Sequence, residues 1–244
     1  ITFAGSIFRI IRSHGEDAPV DREVTIGIFS HTKPIAKGFL RQIKYELETN
    51  DPLKLLFDDI FWAEPRKDAA AKWTEDDGIT VQRRGNPKEA TVEAHGLVDG
   101  QPTSKHFVHR CYDDVVTMES VSTPEMINKT TSRYEMSDNL GTEGGTFSVA
   151  GTYYHFGDTY NQLVKRGAVK LRRHPCTLDG TENFTPDNCV LMQPETLVDK
   201  RIKQGIHTFG TQMLLNPKGD NQMGFKREWL DRPGDTRWIL DTPN

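Results

Sequence analysis

The chain has 244 residues, 35% of them hydrophobic and 27% charged, a length and balance for one large globular domain or one and a half small ones. A formal net charge of -4, from 31 basic and 35 acidic side chains, excludes the basic excess of a protein that coats duplex DNA. No run approaches the roughly 18 apolar residues of a membrane helix, no charged leader precedes an apolar stretch, and Cys111, Cys176 and Cys189 are too few for a disulfide framework.

The sequence opens at Ile1 rather than Met, already inside an amphipathic helical pattern of Ile1, Phe3, Ala4, Ile7, Phe8, Ile10 and Ile11, and so reads as a segment of something longer. After a polar turn from His14 to Arg22, Glu23-Val-Thr-Ile-Gly-Ile-Phe-Ser30 predicts a strand with a polar tip. A helix follows directly. Its apolar residues Ile35, Ala36, Phe39, Leu40, Ile43 and Leu47 repeat at three and four, Pro34 lies in its first turn, and Asn50-Asp-Pro52 marks its end. Strand, polar tip and packed helix form the repeating unit of a parallel α/β sheet.

Residues 58–77 read as a polar loop, and Gly78–Gln82 with Ala90–Ala94 as two strands around the turn at Gly85-Asn-Pro87. His106 to Asp114 predicts a strand that ends on two adjacent carboxylates, with His109 and Arg110 interrupting its apolar run. Thr123-Pro-Glu125 opens a helix, with Thr as cap and Pro in the first turn. Gly144 to Thr152 is a further strand, followed by Tyr-Tyr-His-Phe-Gly-Asp158 and a short helix over 159–166. Residues 168–192 fit hairpin and loop equally. Pro194 to Leu215 returns to a helical pattern with Gly205 as its weak point, and Arg237 to Asp241 reads as a strand.

In a parallel sheet the tips at Ser30, Asp113-Asp114 and Thr152 to Asp158 fall on one edge, the edge at which open α/β sheets bind ligands. Adjacent carboxylates at a strand end suit a magnesium–nucleotide site, one holding the metal and the next orienting or deprotonating an attacking water. Other features are plainer. His174, Cys176 and Cys189 match no zinc spacing. Arg83, Arg84 and Lys105 are candidate arginine-finger positions that read better as solvated surface charge. Residues 1–160 carry 18 basic and 25 acidic side chains and residues 161–244 carry 13 and 10, so the basic bias lies late. Lys165, Arg166, Lys170, Arg172 and Arg173 concentrate it, as a solvated basic face or a contact for DNA phosphates.

Taken in succession, Ser30-His-Thr before a helix, His106-Phe-Val-His-Arg-Cys-Tyr-Asp-Asp-Val-Val116 with Glu119, and Phe147-Ser-Val-Ala-Gly-Thr-Tyr-Tyr-His-Phe-Gly-Asp158 resemble the large terminase subunit of tailed bacteriophages. That family is the motor that drives viral DNA into the capsid. Lys200 to Phe209, Leu214-Leu-Asn-Pro217 and Phe225 to Trp229 resemble the segment between the family's ATPase and its nuclease.

The resemblance implies an α/β, P-loop NTPase-like fold of the class with an added catalytic acid (ASCE class), a mostly parallel sheet with helices on both faces, truncated at both ends. Residues 1–217 would be the ATPase domain, 218–236 a linker and 237–244 the start of an RNase H-like nuclease. Asp113 would be the Walker B aspartate that holds Mg2+. Asp114 would take the place of the catalytic acid, with Glu119 as a rival base. Ser30, Gly151, Thr152, His155 and Asp158 would face the nucleotide, with Gly151 and Thr152 forming the coupling motif. Asp241 would be the first metal ligand of the nuclease. No Gly-x-x-x-x-Gly-Lys-Ser/Thr occurs in the 244 residues, so the phosphate-cradling loop is expected just ahead of Ile1, and the chain by itself is expected to be inactive.

By the same resemblance the cofactors would be ATP and Mg2+. The partners would be double-stranded DNA, a portal protein and procapsid, a small terminase subunit and further copies in a homo-oligomeric ring, in the cytoplasm of an infected bacterium with no membrane association. Three alternatives stay open: another P-loop motor such as a helicase, a metal-dependent phosphohydrolase or nuclease using Asp113, Asp114, His155 and Asp158 directly, and a non-catalytic virion protein.

Overall fold

Ile26-Gly-Ile-Phe-Ser30 forms β1, buried along its whole length as a central parallel strand must be. The computed structural model describes residues 1–14, 23–68 and 72–217. Among these, β1 lies between β4 (Val92–Gly96) and β5 (Phe107–Asp113), parallel to both. β6 (Gly141–Ala150) runs parallel to β5 on its far side. Two short strands, β2 (Trp73–Thr74) and β3 (Gly78–Ile79), add antiparallel pairs beyond β4, giving the order β2-β3-β4-β1-β5-β6. The architecture is α/β, with a mostly parallel six-stranded sheet among the described residues.

Side-chain alternation along β1 decides what covers each face. Ile26 and Ile28 point to α1 (Thr2–Ser13) and α2 (Lys33–Thr49), where Ile7, Ile10, Leu40, Ile43 and Leu47 complete a buried cluster. Phe29 points the other way and stacks on Tyr112 with ring centroids 5.4 Å apart. Tyr112 in turn packs on Tyr134 of α5 (Pro124–Ser137) at 4.7 Å and shares a hydrogen bond with Ser137 at 2.7 Å. Both faces of the sheet are therefore covered by helices.

His109 and Arg110, which break the apolar run of β5, both find partners inside. The His109 imidazole meets Thr146 and Ser148 of β6 at 2.9 and 3.2 Å. Arg110 donates to the carbonyls of Ser137 and Asp138 at 3.0 and 2.7 Å and to the Asp138 carboxylate at 2.8 Å. Both side chains are buried with hydrogen-bond partners at His109 Nδ1 and Nε2 and at one terminal nitrogen of Arg110, which is how a central strand tolerates them, while Arg110 Nε has no partner among the described residues.

Several expected elements differ in detail. Asn50-Asp-Pro52 does end α2, but it also starts α3 (Asp51–Leu56). The Asn50 side chain accepts from the Leu53 amide at 2.9 Å, and Pro52 occupies a first-turn position that needs no amide hydrogen. The expected polar loop over 58–77 holds the single turn α4 (Pro65–Asp68) and β2. The strand expected over Gly78–Gln82 pairs only at Gly78–Ile79. α5 starts as predicted, its cap Thr123 accepting from the Met126 amide at 3.2 Å.

The chain forms two compact units that divide between Thr152 and Tyr153, inside the stretch read as one ATPase domain. In the second unit α6 (Thr159–Lys165) follows Asp158, and the ambiguous 168–192 stretch forms one isolated antiparallel bridge, Thr177 with Cys189. α7 (Pro194–Gln212) packs Leu197 and Phe209 against Cys176 and Leu214. It is interrupted at Gly205, whose φ of 75° and ψ of 166° break the helix where its weak point was expected. The proposed linker and nuclease start, 218–244, lie outside the described residues. No helix among the described residues is long and apolar enough to cross a membrane.

Candidate functional site at the carboxyl edge of the sheet

Because β1, β4, β5 and β6 run parallel, their last residues share one edge: Ser30, Gly96, Asp113 and Ala150. The topology changes direction beside β1. The chain leaves β1 to build β4 on one side, then crosses through residues 97–106 to build β5 on the other. A crevice at the carboxyl ends on either side of such a switch is where ligands bind in open α/β sheets.

Continuing the Phe29–Tyr112 register by one residue places Ser30 beside Asp113, on the face that packs against α1. On that face the Thr2 hydroxyl, at the start of α1, hydrogen-bonds the Asp113 carboxylate and lies 3.2 Å from the Cys111 sulfur. The amino end of α1 is thereby fixed at the metal position that the resemblance assigns to Asp113. The start of α1, where a helix carries the positive end of its dipole, therefore lies at this edge.

Asp114 starts the turn that leaves β5. Its backbone is held at both ends: its amide donates to the Ala150 carbonyl at 3.1 Å, and its carbonyl accepts from the His31 amide at 3.3 Å. It adopts φ of 48°, a left-handed conformation that Asp tolerates better than most residues. Burial, and then the neighbouring charge of Asp113, raise its carboxyl above the ordinary Asp value. Val115 and Val116 bury completely behind it, and Glu119 begins a single 3-10 turn, Glu119–Val121, with its side chain 77% exposed. Glu119 lies 3.9 Å from His31 Nε2. At the end of β6, Gly151 is exposed and Thr152 half-buried, and the Asp113–Ala150 pairing brings both to the same edge.

Of the predicted site residues, Ser30, Asp113, Asp114, Glu119, Gly151 and Thr152 thus come together on the first unit. His155 and Asp158 belong to the second unit and make a local turn. The two carboxylate oxygens of Asp158 accept from three backbone amides, those of Asn161 at 3.0 Å, Tyr154 at 3.1 Å and His155 at 3.3 Å, and so cap α6. His155 Nδ1 accepts from the Gly157 amide at 3.0 Å. Asp241 lies outside the described residues.

Two residues of the edge escaped the sequence reading. Thr2 meets Asp113 across 111 positions of chain, and its only local signal is polarity, shared with Ser6, on the buried face of an otherwise apolar helix. His31 is buried next to Ser30, and the Ser30 Oγ and His31 Nδ1 atoms have no hydrogen-bond partner among the described residues. Consecutive buried orphans at a strand end depart from the rule that interior polar groups are paired.

The candidate finger residues have structural partners instead. Arg83 donates to the carbonyls of Glu89 and Pro87 at 2.8 and 3.2 Å, and Lys105 clamps Glu93 at 2.7 and 2.8 Å. Arg84 lies 3.9 Å from Glu23. The basic run from Lys165 to Arg173 is exposed at each charged side chain, and the Arg173 guanidinium sits 5.4 Å from the centre of the Tyr153 ring. Among the described residues no group of three or more His, Cys, Asp or Glu is arranged to hold a metal ion. No protein-family model matches the chain, and no curated protein matches it.

Proposed function

We propose that the carboxyl edge of the sheet is a magnesium–nucleotide site and that the chain is the ATPase part of a viral DNA-packaging motor of the large terminase type. The observation that carries the reading is the Thr2–Asp113 contact. It joins the start of a helix to a carboxylate at the end of a buried parallel strand. A helix start attracts phosphate oxygens, and a carboxylate paired with a hydroxyl offers the hard oxygen donors that magnesium prefers. Magnesium usually keeps several waters and shares its remaining positions with substrate phosphates, so one or two protein oxygens are enough.

In this reading Asp113 and the Thr2 hydroxyl hold Mg2+, which when bound neutralises charge on the phosphate oxygens. Ser30 contributes a hydroxyl toward the ligand. Asp114 or Glu119 takes the proton of the attacking water, and Gly151 and Thr152, at the end of the next strand, link the site to the chain that leaves it. The reading requires a phosphate-binding loop to precede α1, in the manner of a P-loop NTPase. DNA, portal, procapsid, small subunit, a ring of copies and a nuclease continuing through Asp241 follow from the resemblance alone. Direct metal hydrolysis by Asp113, Asp114, His155 and Asp158 has less support, because backbone amides already occupy the Asp158 carboxylate.

Equilibrium binding of a fluorescent ATP analogue to the full-length protein tests the reading. Binding is expected to require Mg2+, to be lost on chelation, and to weaken at least tenfold in Asp113→Asn. Binding that ignores both Mg2+ and this substitution would refute it.

A further inference from the structure

Two carboxylates compete for the role of base in the proposed site, and the structure treats them differently. Asp114 is locked, with its amide on Ala150, its carbonyl on His31 and a left-handed backbone. Glu119 stands on a 3-10 turn with its side chain in solvent, one methylene longer and free to swing.

His31 is the fixed point beside it. The imidazole is buried, and its backbone is pinned between the end of β1 and Thr32, which precedes α2. Its amide is tied to the very turn that carries Asp114. Nε2 faces Glu119 Oε2 at 3.9 Å, beyond hydrogen-bond length but within the reach of one side-chain rotation of Glu119. Nδ1 has no partner among the described residues, so the tautomer that carries hydrogen on Nε2 is the one these surroundings favour. Solvent exposure makes the contact weak as a source of stability. A buried imidazole kept with one nitrogen unsatisfied and the other facing a mobile carboxylate is more readily understood as a device that aims that carboxylate.

We propose that His31 is a positioning residue that donates from Nε2 to Glu119 and so selects Glu119, rather than Asp114, as the base. The proposal rests on the nucleotide-hydrolase reading. In the step, the oxygen of a water bonds to the terminal phosphorus and the bond from that phosphorus to the bridging oxygen breaks, releasing the nucleoside diphosphate. The water proton passes to one Glu119 oxygen while the other keeps its bond from His31, whose own protonation is unchanged.

Two measurements test this. The first is the ring nitrogen resonance of His31 Nε2 in the full-length protein labelled with nitrogen-15. Glu119→Gln is expected to shift it and the control Glu125→Gln to leave it in place; no response to Glu119→Gln overturns the contact whatever the protein hydrolyses. The second is ATP turnover by the full-length protein. His31→Ala is expected to lower kcat at least tenfold with nucleotide Kd changed less than about twofold. His31→Gln, whose amide nitrogen sits where Nε2 was, restores most of the rate, whereas His31→Asn does not. In a Glu119→Gln background His31→Ala causes no further loss.

Equal rates in the Gln and Asn variants, or losses at His31 and Glu119 that multiply, would overturn the assignment. Active protein in which His31→Ala leaves kcat unchanged sinks this inference alone. Full-length protein that shows the resonance shift yet hydrolyses no ATP sinks the nucleotide reading and this inference with it.

Discussion

Glu93 offers the most quantitative check on how the edge is held in place. It is buried in β4, directly beside Gly27 of β1, and accepts from the Ala90 amide at 2.7 Å, from Lys105 at 2.7 and 2.8 Å and from His95 across 3.0 Å. Lys105 belongs to the crossover that carries the chain over β1 into the strand of Asp113, so this carboxylate ties the switch point together. Burial by itself would raise the Glu93 carboxyl, but the bonds from His95, Lys105 and Ala90 outweigh it and hold the group at about 2 instead of 4.5. That difference is worth roughly 3 kcal/mol of folding free energy. The sign follows from proton binding. The unfolded chain takes up the proton first on acidification, so the contribution is complete above about pH 5 and disappears as pH falls toward 2. Roughly half of it remains near pH 3. Glu93→Gln removes it and leaves Lys105 without its counter-charge, so the variant is expected to lose about 3 kcal/mol at neutral pH. Urea unfolding followed by tryptophan fluorescence at pH 7, 5 and 3 measures the gap, which should narrow at the lowest pH. A gap below about 0.5 kcal/mol at pH 7, or one that ignores pH, would refute the reasoning.

Other predictions concern the residues that shape the two units. A Cβ on Gly96 would lie 2.1 Å from the Asp99 carbonyl oxygen and 2.9 Å from the Lys33 amide, both backbone atoms. Gly96→Ala is therefore expected to cost about 2 to 3 kcal/mol, read by calorimetry as a fall in Tm of several degrees, and an unchanged Tm would contradict the close approach. Asp158→Ala should cost about 1 to 2 kcal/mol through loss of the α6 cap, seen as faster hydrogen exchange at the Asn161 and Leu163 amides. Asp158→Asn keeps an acceptor and should cost less than half as much; equal losses would mean that the cap oxygen does not matter.

Much of the fold was legible because local signals and long-range packing agree. Thr123 and Pro124 start α5 by capping chemistry that needs no partner, and Gly205 breaks α7 through its own backbone freedom. α3 was not legible, because Asn50-Asp-Pro52 serves equally as a stop signal and as the start of a second helix, and only the Leu53 amide reveals which. The site divides in the same way. Ser30, Asp113 and Asp114 stand out as polar residues that follow apolar strands, and a parallel sheet gathers them. Thr2 is invisible from sequence because its importance is a contact across more than a hundred residues, and His31 because burial, not identity, is what makes an imidazole unusual. Asp158 reads as a functional acid within its motif, yet its position ahead of a short helix gives it an ordinary structural use as a cap.

The most direct test of the central claim is steady-state ATP hydrolysis by the full-length protein, comparing the wild type with Asp113→Asn at matched thermal stability. Magnesium-dependent turnover that falls at least a hundredfold on this substitution, with the fold intact, is the predicted result. Undiminished turnover in Asp113→Asn, or a full-length protein that turns over no ATP with Mg2+ present, would contradict it.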